Sequence, residues 1–148
     1  MITDSSVTID ADAATVWEVF TDVERWSEWT ASVTSLRALD EAELAVGRRY
    51  EIKQPRMMKL VWEVTAIDPG RSWTWKQRSL GATTLATHEV ISDTEGRTLV
   101  RQRIDQRGPL GVVVAVLTRR MTRRYLDLEA QGLKARSEAG ARRGASSA

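Results

Sequence analysis

His88 is the single histidine of this 148-residue chain and the only side chain whose ordinary pKa lies near neutrality. Beside an enolisable carbon it could act as a general base. Tyr50, Tyr125, Glu63 and Glu89 are its possible helpers. In regular strands, however, Glu63 and Glu89 fall on the faces opposite Trp62 and His88. That leaves His88 as a weak catalytic candidate with no carboxylate partner from local sequence. No Ser-His-Asp arrangement and no glycine-rich nucleotide loop can be placed. With no cysteine and one histidine, disulfides, thiol chemistry and His- or Cys-rich zinc sites are excluded. No metal and no cofactor is expected.

A second group of residues suits binding better than bond-breaking. The chain carries six tryptophans, two tyrosines and one phenylalanine. So many indoles in a small chain either crowd a core or line an aromatic cavity. Gln77, His88 and Gln102 lie on strand faces that are otherwise apolar, where an unpaired polar group is costly. Each needs a partner, which is a neighbour, water or a ligand. Met57-Met58, beside Pro55, forms either a rim or a loop tucked over the core edge.

The elements that must position these residues follow from periodicity. Ser6–Asp10 reads as a first strand. Asp12 and Asp22 can cap two short helices, the second over Val23–Trp29. Strands are expected over Val33–Leu39, Arg49–Gln54, Lys59–Ile67, Ser72–Arg78, Thr83–Ile91 and Thr98–Asp105, punctuated by Pro55, Asp68-Pro69-Gly70, Gly81 and Asp93-Thr94-Glu95-Gly96. In the third of these, Leu60, Trp62, Val64 and Ala66 share a face. Pro109 fits the first turn of a long helix running from about Leu110 to about Ala135. Its apolar stripe is Leu110, Val113, Val114, Leu117, Met121, Tyr125 and Leu128. An antiparallel sheet with one apolar face needs a cover, and only this helix is large enough. The inward set is therefore Tyr50, Ile52, Leu60, Trp62, Val64, Trp73, Trp75, Gln77, His88, Val90, Val100, Gln102 and Ile104 from the sheet, with Val113, Leu117, Met121 and Tyr125 from the helix.

At 42% apolar and 28% charged, the chain predicts one domain, residues 1–137, followed by a flexible basic tail, residues 138–148. Residues 1–100 hold 11 basic and 16 acidic side chains, whereas residues 101–148 hold 11 and 4. The net charge of +2 gives little reason for a charged partner, and no nucleic acid is expected. The polar stretch Met1–Asp12 has no signal pattern and no apolar run approaches 18 residues, so the expected address is the cytoplasm, without stable membrane insertion. Monomer and homodimer stay open.

Several segments together resemble a known family. They are Ile9-Asp10-Ala11, Ala14-Thr15-Val16-Trp17, Phe20-Thr21-Asp22 and Val23-Glu24-Arg25-Trp26-Ser27-Glu28-Trp29. Others are Val46-Gly47-Arg48-Arg49-Tyr50, Trp62 through the Asp68-Pro69-Gly70 turn, Trp73-Thr74-Trp75 and Gly96-Arg97-Thr98. Over about residues 5–135 the chain resembles the polyketide cyclase/dehydrase-like branch of the START-related (SRPBCC, Bet v 1-like) superfamily. The resemblance implies an α+β helix-grip fold: a seven-stranded antiparallel sheet wrapped around a long C-terminal helix, with two small helices closing one end. It implies that Trp26 and Trp29 are fold residues near a cavity entrance. It transfers no catalytic motif.

The expected function is binding of a small, largely apolar molecule, lipid-like or polyketide and aromatic, in an internal cavity of roughly 300–1,000 Å³. The expected lining is Tyr50, Trp62, Trp73, Trp75, Gln77, His88, Gln102, Leu117, Met121 and Tyr125. One alternative is a polyketide cyclase or dehydrase, which needs a proton-transferring group in a shaped pocket. Another is a chaperone-like or surface-interaction domain, which an exposed apolar patch would favour.

Overall fold

The computed structural model describes residues 1–79, 81–92 and 95–147, without the side chains of 146 and 147. Asp93 and Thr94 of the expected hairpin loop lie outside the described residues. The strands are β1 (Ile2–Ile9), β2 (Ser35–Ala38), β3 (Arg49–Lys53), β4 (Leu60–Asp68), β5 (Ser72–Ser79), β6 (Ala82–Ser92) and β7 (Thr98–Arg107). They form one antiparallel sheet in the order β1-β7-β6-β5-β4-β3-β2. The chain thus enters at one edge, crosses to the other, and returns by successive hairpins. Helix α1 (Ala13–Thr21) and a 3₁₀ helix (Val23–Glu28) make the crossing. Helix α2 (Gly111–Ser147) lies against the sheet. This is the seven-stranded helix-grip architecture expected from the sequence.

Local chemistry explains the joints. The Asp12 carboxylate accepts from Thr15 N–H at 2.8 Å and caps α1 as expected. Asp22 makes no such cap; its carboxylate pairs with Arg25 Nε at 3.5 Å. Val16, Phe20, Val23 and Trp26 are buried beneath this crossing. Thr98, fully buried, donates to Ala11 O at 2.7 Å and pins the start of β7 to the same corner.

β4 departs from strict alternation. A register shift between Val64 and Ala66 forms a bulge against β5. Beyond it the faces exchange: Ala66 is exposed and Ile67 packs on the core, the reverse of the expected order. One extra residue in a period-two strand is sufficient to do this.

The long helix differs from expectation in rotation and in length. Its buried residues include Gly111, Ala115, Leu126, Ala130, Leu133 and Ser137. Leu117 is 79% exposed and Val113 52% exposed, so the sequence-derived stripe is wrong at its N-terminal end. The cause is close approach. A Cβ on Gly111 would sit 3.1 Å from the Gln106 backbone, so the small side of the first turns faces the sheet. Leu117 then lies about 200° round from Ala115 at 3.6 residues per turn. Because Val112–Leu117 is apolar throughout, its periodicity could not define a face.

The expected tail is also helical. α2 continues 37 residues from Gly111, and Ala141 packs against the core beside α1. Lys134 Nζ donates to Glu138 at 2.9 Å across one turn. Arginine, alanine and glutamate are good helix formers, and a docked turn at Gly140–Ala141 extends the helix past the composition break.

Gly132 marks the tightest packing of α2. A Cβ there would lie 1.9 Å from Trp29 O. In an open helix Gly→Ala is stabilising by about 1 kcal/mol; here the steric term reverses the sign. We expect Gly132→Ala to lower the unfolding free energy by about 1–3 kcal/mol, and Gly144→Ala, which meets nothing within 4 Å, to be neutral or stabilising. Urea unfolding of both variants checks this; equal effects would mean that the α2–Trp29 contact is not rigid.

Candidate ligand-binding site

Between sheet and helix lies a cavity of about 240 Å³, just under the expected range. Its closed end is aromatic. Trp26, 1% exposed, stands within 6 Å, centroid to centroid, of Phe20, Trp73, Trp75 and His88, and its Nε1 donates to Phe20 O at 3.1 Å. It is therefore a closed-end residue, not one at an entrance. Trp62 leans on Trp75 at 5.5 Å. At the other side Met57 and Met58 line the cavity, and Met58 is 72% exposed, which places the mouth at the β3–β4 loop. That loop is held by Lys53 Nζ donating to Met57 O and by Tyr125 OH donating to Pro55 O.

Strand register arranges the sheet wall in rows. Trp73, His88 and Gln102 form one row across β5, β6 and β7; Trp75, Ala86 and Ile104 form the next; Gln77, Thr84 and Gln106 form the third. Small side chains on central β6 between larger ones on its neighbours leave the space open.

Seven of the ten sequence-predicted residues border the cavity: Trp62, Trp75, Gln77, His88, Gln102, Met121 and Tyr125. Three do not. Tyr50 is fully buried behind the wall, its hydroxyl donating to Ala42 O at 3.2 Å. Trp73, also fully buried, stacks on His88 at 3.9 Å. Leu117 faces solvent, for the reason given above.

His88 is not a poised base. Burial pushes its imidazole down from 6.5 to about 3, against the opposing effect of its hydrogen bond to Trp73. Neutral in this environment, it donates from Nδ1 to Trp73 O at 3.3 Å, which leaves Nε2 as an acceptor.

The group that sequence reasoning missed is Glu129, 9% exposed, on the cavity side of α2. One carboxylate oxygen accepts from Gln102 Nε2 at 2.7 Å and the other from Ser32 Oγ at 3.4 Å. Ser32 in turn lies 2.8 Å from Thr30 Oγ1. Burial pushes the carboxyl up from 4.5 to about 7, against the two hydrogen bonds, which pull it down. A signal existed in the sequence: stepping by four from Met121 through Tyr125 reaches Glu129 and then Leu133. Among the described residues no cluster of three metal-ligating side chains occurs, and no helix is long and apolar enough to cross a membrane.

The sequence matches the family described as polyketide cyclase/dehydrase and lipid transport over residues 2–138. The chain belongs to this family. Its fold is shared with solved structures of low identity. A START superfamily protein from Mycobacterium smegmatis is 14% identical, with 93% of this chain and 97% of that one covered and a TM-score of 0.73. A hypothetical protein of Helicobacter pylori is 14% identical over 93% and 88%, with a TM-score of 0.77. A point mutant of norcoclaurine synthase from Thalictrum flavum, in complex with a transition-state analogue, is 10% identical over 90% and 93%, with a TM-score of 0.68. No curated protein matches the chain. These likenesses show the fold.

The two buried titratable groups push stability in opposite directions with pH. His88, depressed on folding, adds stability that grows as pH rises from about 3 to 6.5. Glu129, raised on folding, takes stability away as pH rises from about 4.5 to 7, because the unfolded chain ionises first. Glu129→Gln removes only the second effect. Relative to the parent, this variant should gain about 3 kcal/mol between pH 4.5 and 8, nearly all of it below pH 7. Urea unfolding across that range measures the difference; a gap that does not change with pH would place the ionised carboxylate in water.

Proposed function

We propose that this protein binds a small, largely apolar molecule in the cavity between its sheet and α2. The observation that carries the reading is the cavity itself: close-packed interiors keep few voids, yet this one persists behind indole walls with buried polar groups at its inner end. Rigid aromatic walls with a few placed polar groups are the usual composition of a small-molecule site. The family description, which joins polyketide cyclisation, dehydration and lipid transport, supports an apolar ligand of this kind. Trp26, Trp62 and Trp75 supply flat apolar surface. Gln77, Gln102 and Glu129 orient polar atoms, and His88 holds the aromatic end in place.

A catalytic reading gains one observation. A buried carboxyl raised to about 7 is suited to proton transfer near neutral pH, a better candidate than His88. Binding is common to both readings.

The neutral naphthalene dye prodan tests binding. It should quench tryptophan emission saturably, with one site per chain. Trp75→Ala should weaken it at least tenfold, as should Met121→Trp, which fills the space from the helix side. Leu117→Ser, outside the cavity, should leave it unchanged. Equal binding by all four proteins would locate the dye on the surface and remove the cavity from the reading.

A further inference from the structure

The polar groups near Glu129 are unevenly satisfied. The Glu129 carboxylate already takes two hydrogen bonds and, when ionised, offers only acceptor capacity. Gln102, 2% exposed, donates one Nε2–H to Glu129, and its Oε1 has no partner among the described residues. In the neighbouring row position, His88 presents Nε2 as an acceptor. Gln102 Oε1, at this end of the cavity, is therefore an acceptor that no donor serves among the described residues.

It also holds a charge without a counter-charge. Among the cavity-lining residues the basic one is Arg103, and its guanidinium is turned to the outer face, where Nε donates to Asp4 at 2.9 Å. The Ser32 and Gln102 hydrogen bonds fit an ionised carboxylate, one donor on each oxygen, but neither donor is a cation. A buried carboxylate of this kind is stabilised by a cation that brings its own N–H groups. Indole faces are the best partners a side chain offers to such a cation.

Resting on the apolar-ligand reading above, we propose that the natural ligand is an apolar amine. Its ammonium group sits between the Glu129 carboxylate and Gln102 Oε1, and its hydrocarbon body lies among Trp26, Trp62 and Trp75. A primary or secondary ammonium carries at least two N–H donors, enough for both acceptors; a hydroxyl has one, and a carboxylate none. The other unpartnered group on the cavity wall, Trp62 Nε1–H, is a donor on β4. It stands three strands from Gln102, about 14 Å at ~4.8 Å per strand, and suits an oxygen at the ligand's far end.

Three naphthalene probes of the same size test the charge: 2-naphthylmethylamine, 2-naphthalenemethanol and 2-naphthoate, titrated calorimetrically at pH 7.5 in parallel with prodan. The amine should bind at least about tenfold more tightly than the alcohol, the equivalent of one charge-assisted hydrogen bond, and the acid should bind least. Glu129→Gln should abolish the preference for the amine while prodan and the alcohol still bind. Gln102→Leu should weaken the amine without reversing the order. Comparable affinity for amine and alcohol, preference for the acid, or an amine preference that survives Glu129→Gln overturns the inference. Prodan binding with no binding of any naphthalene probe also overturns it and leaves the apolar-ligand reading standing. Failure of prodan as well removes that reading and the inference together.

Discussion

One carboxyl ties the three layers of this protein together. Glu129 reaches from α2 to Gln102 on the sheet and to Ser32 in the segment that follows the 3₁₀ helix. One helical turn further on, Gly132 lets Trp29 O come against the α2 backbone. The segment from Trp29 to Ser32 is thus clamped at two points on one helix face, and this clamp holds α2 in the rotation that the Gly111–Gln106 contact also imposes. The arrangement is energetically demanding, because a buried carboxyl with no cation costs stability whenever it is ionised. A chain that needed only a lid for its sheet could place a leucine there. Glu129 instead places a buried carboxyl on a cavity wall that also carries Gln77, Gln102 and Gln106.

The cavity arises from size mismatch across the sheet. Thr84 and Ala86 on β6 lie between the larger residues of β5 and β7, and the space above them stays open beneath α2. The aromatic cluster fills the closed end. Trp73 stacked on His88, with Trp26 and Phe20 edge-on to the imidazole, is a packing unit that keeps His88 dry and neutral. The single histidine thus borders the cavity in its neutral form, while the carboxyl that faces it comes from the helix. Met57 and Met58 line the mouth, unbranched side chains with several rotatable bonds.

α2 wears two different outer surfaces. Its first turns expose Val112, Val113, Val116 and Leu117, and the next turns expose Arg119, Arg120, Arg123 and Arg124. The sequence alone invites the apolar residues inward. Gly111 and Ala115 turn them out, because contact with the Gln106 backbone admits only small residues. Close backbone approach here outweighs hydrophobic periodicity.

The order of elements, the antiparallel hairpin sheet and the long covering helix were legible in the sequence, because period-two alternation and turn residues report strand faces directly. Trp62, Trp75, Gln77, His88 and Gln102 could be placed on the inner face by alternation alone. Three matters were decided only in three dimensions. The bulge after Val64 exchanged the faces of Ala66 and Ile67, since one inserted residue carries no compositional mark. The rotation and length of α2 came from contacts with Gln106, Trp29 and α1 that lie far away in sequence. Glu129 stayed hidden because a glutamate in an arginine-rich helix reads as a solvated charge. Its burial depends on Ser32, 97 positions earlier, and Gln102, 27 positions earlier, arriving at the same point. Local sequence determines which faces are apolar; only the packed chain determines which polar group is trapped between them.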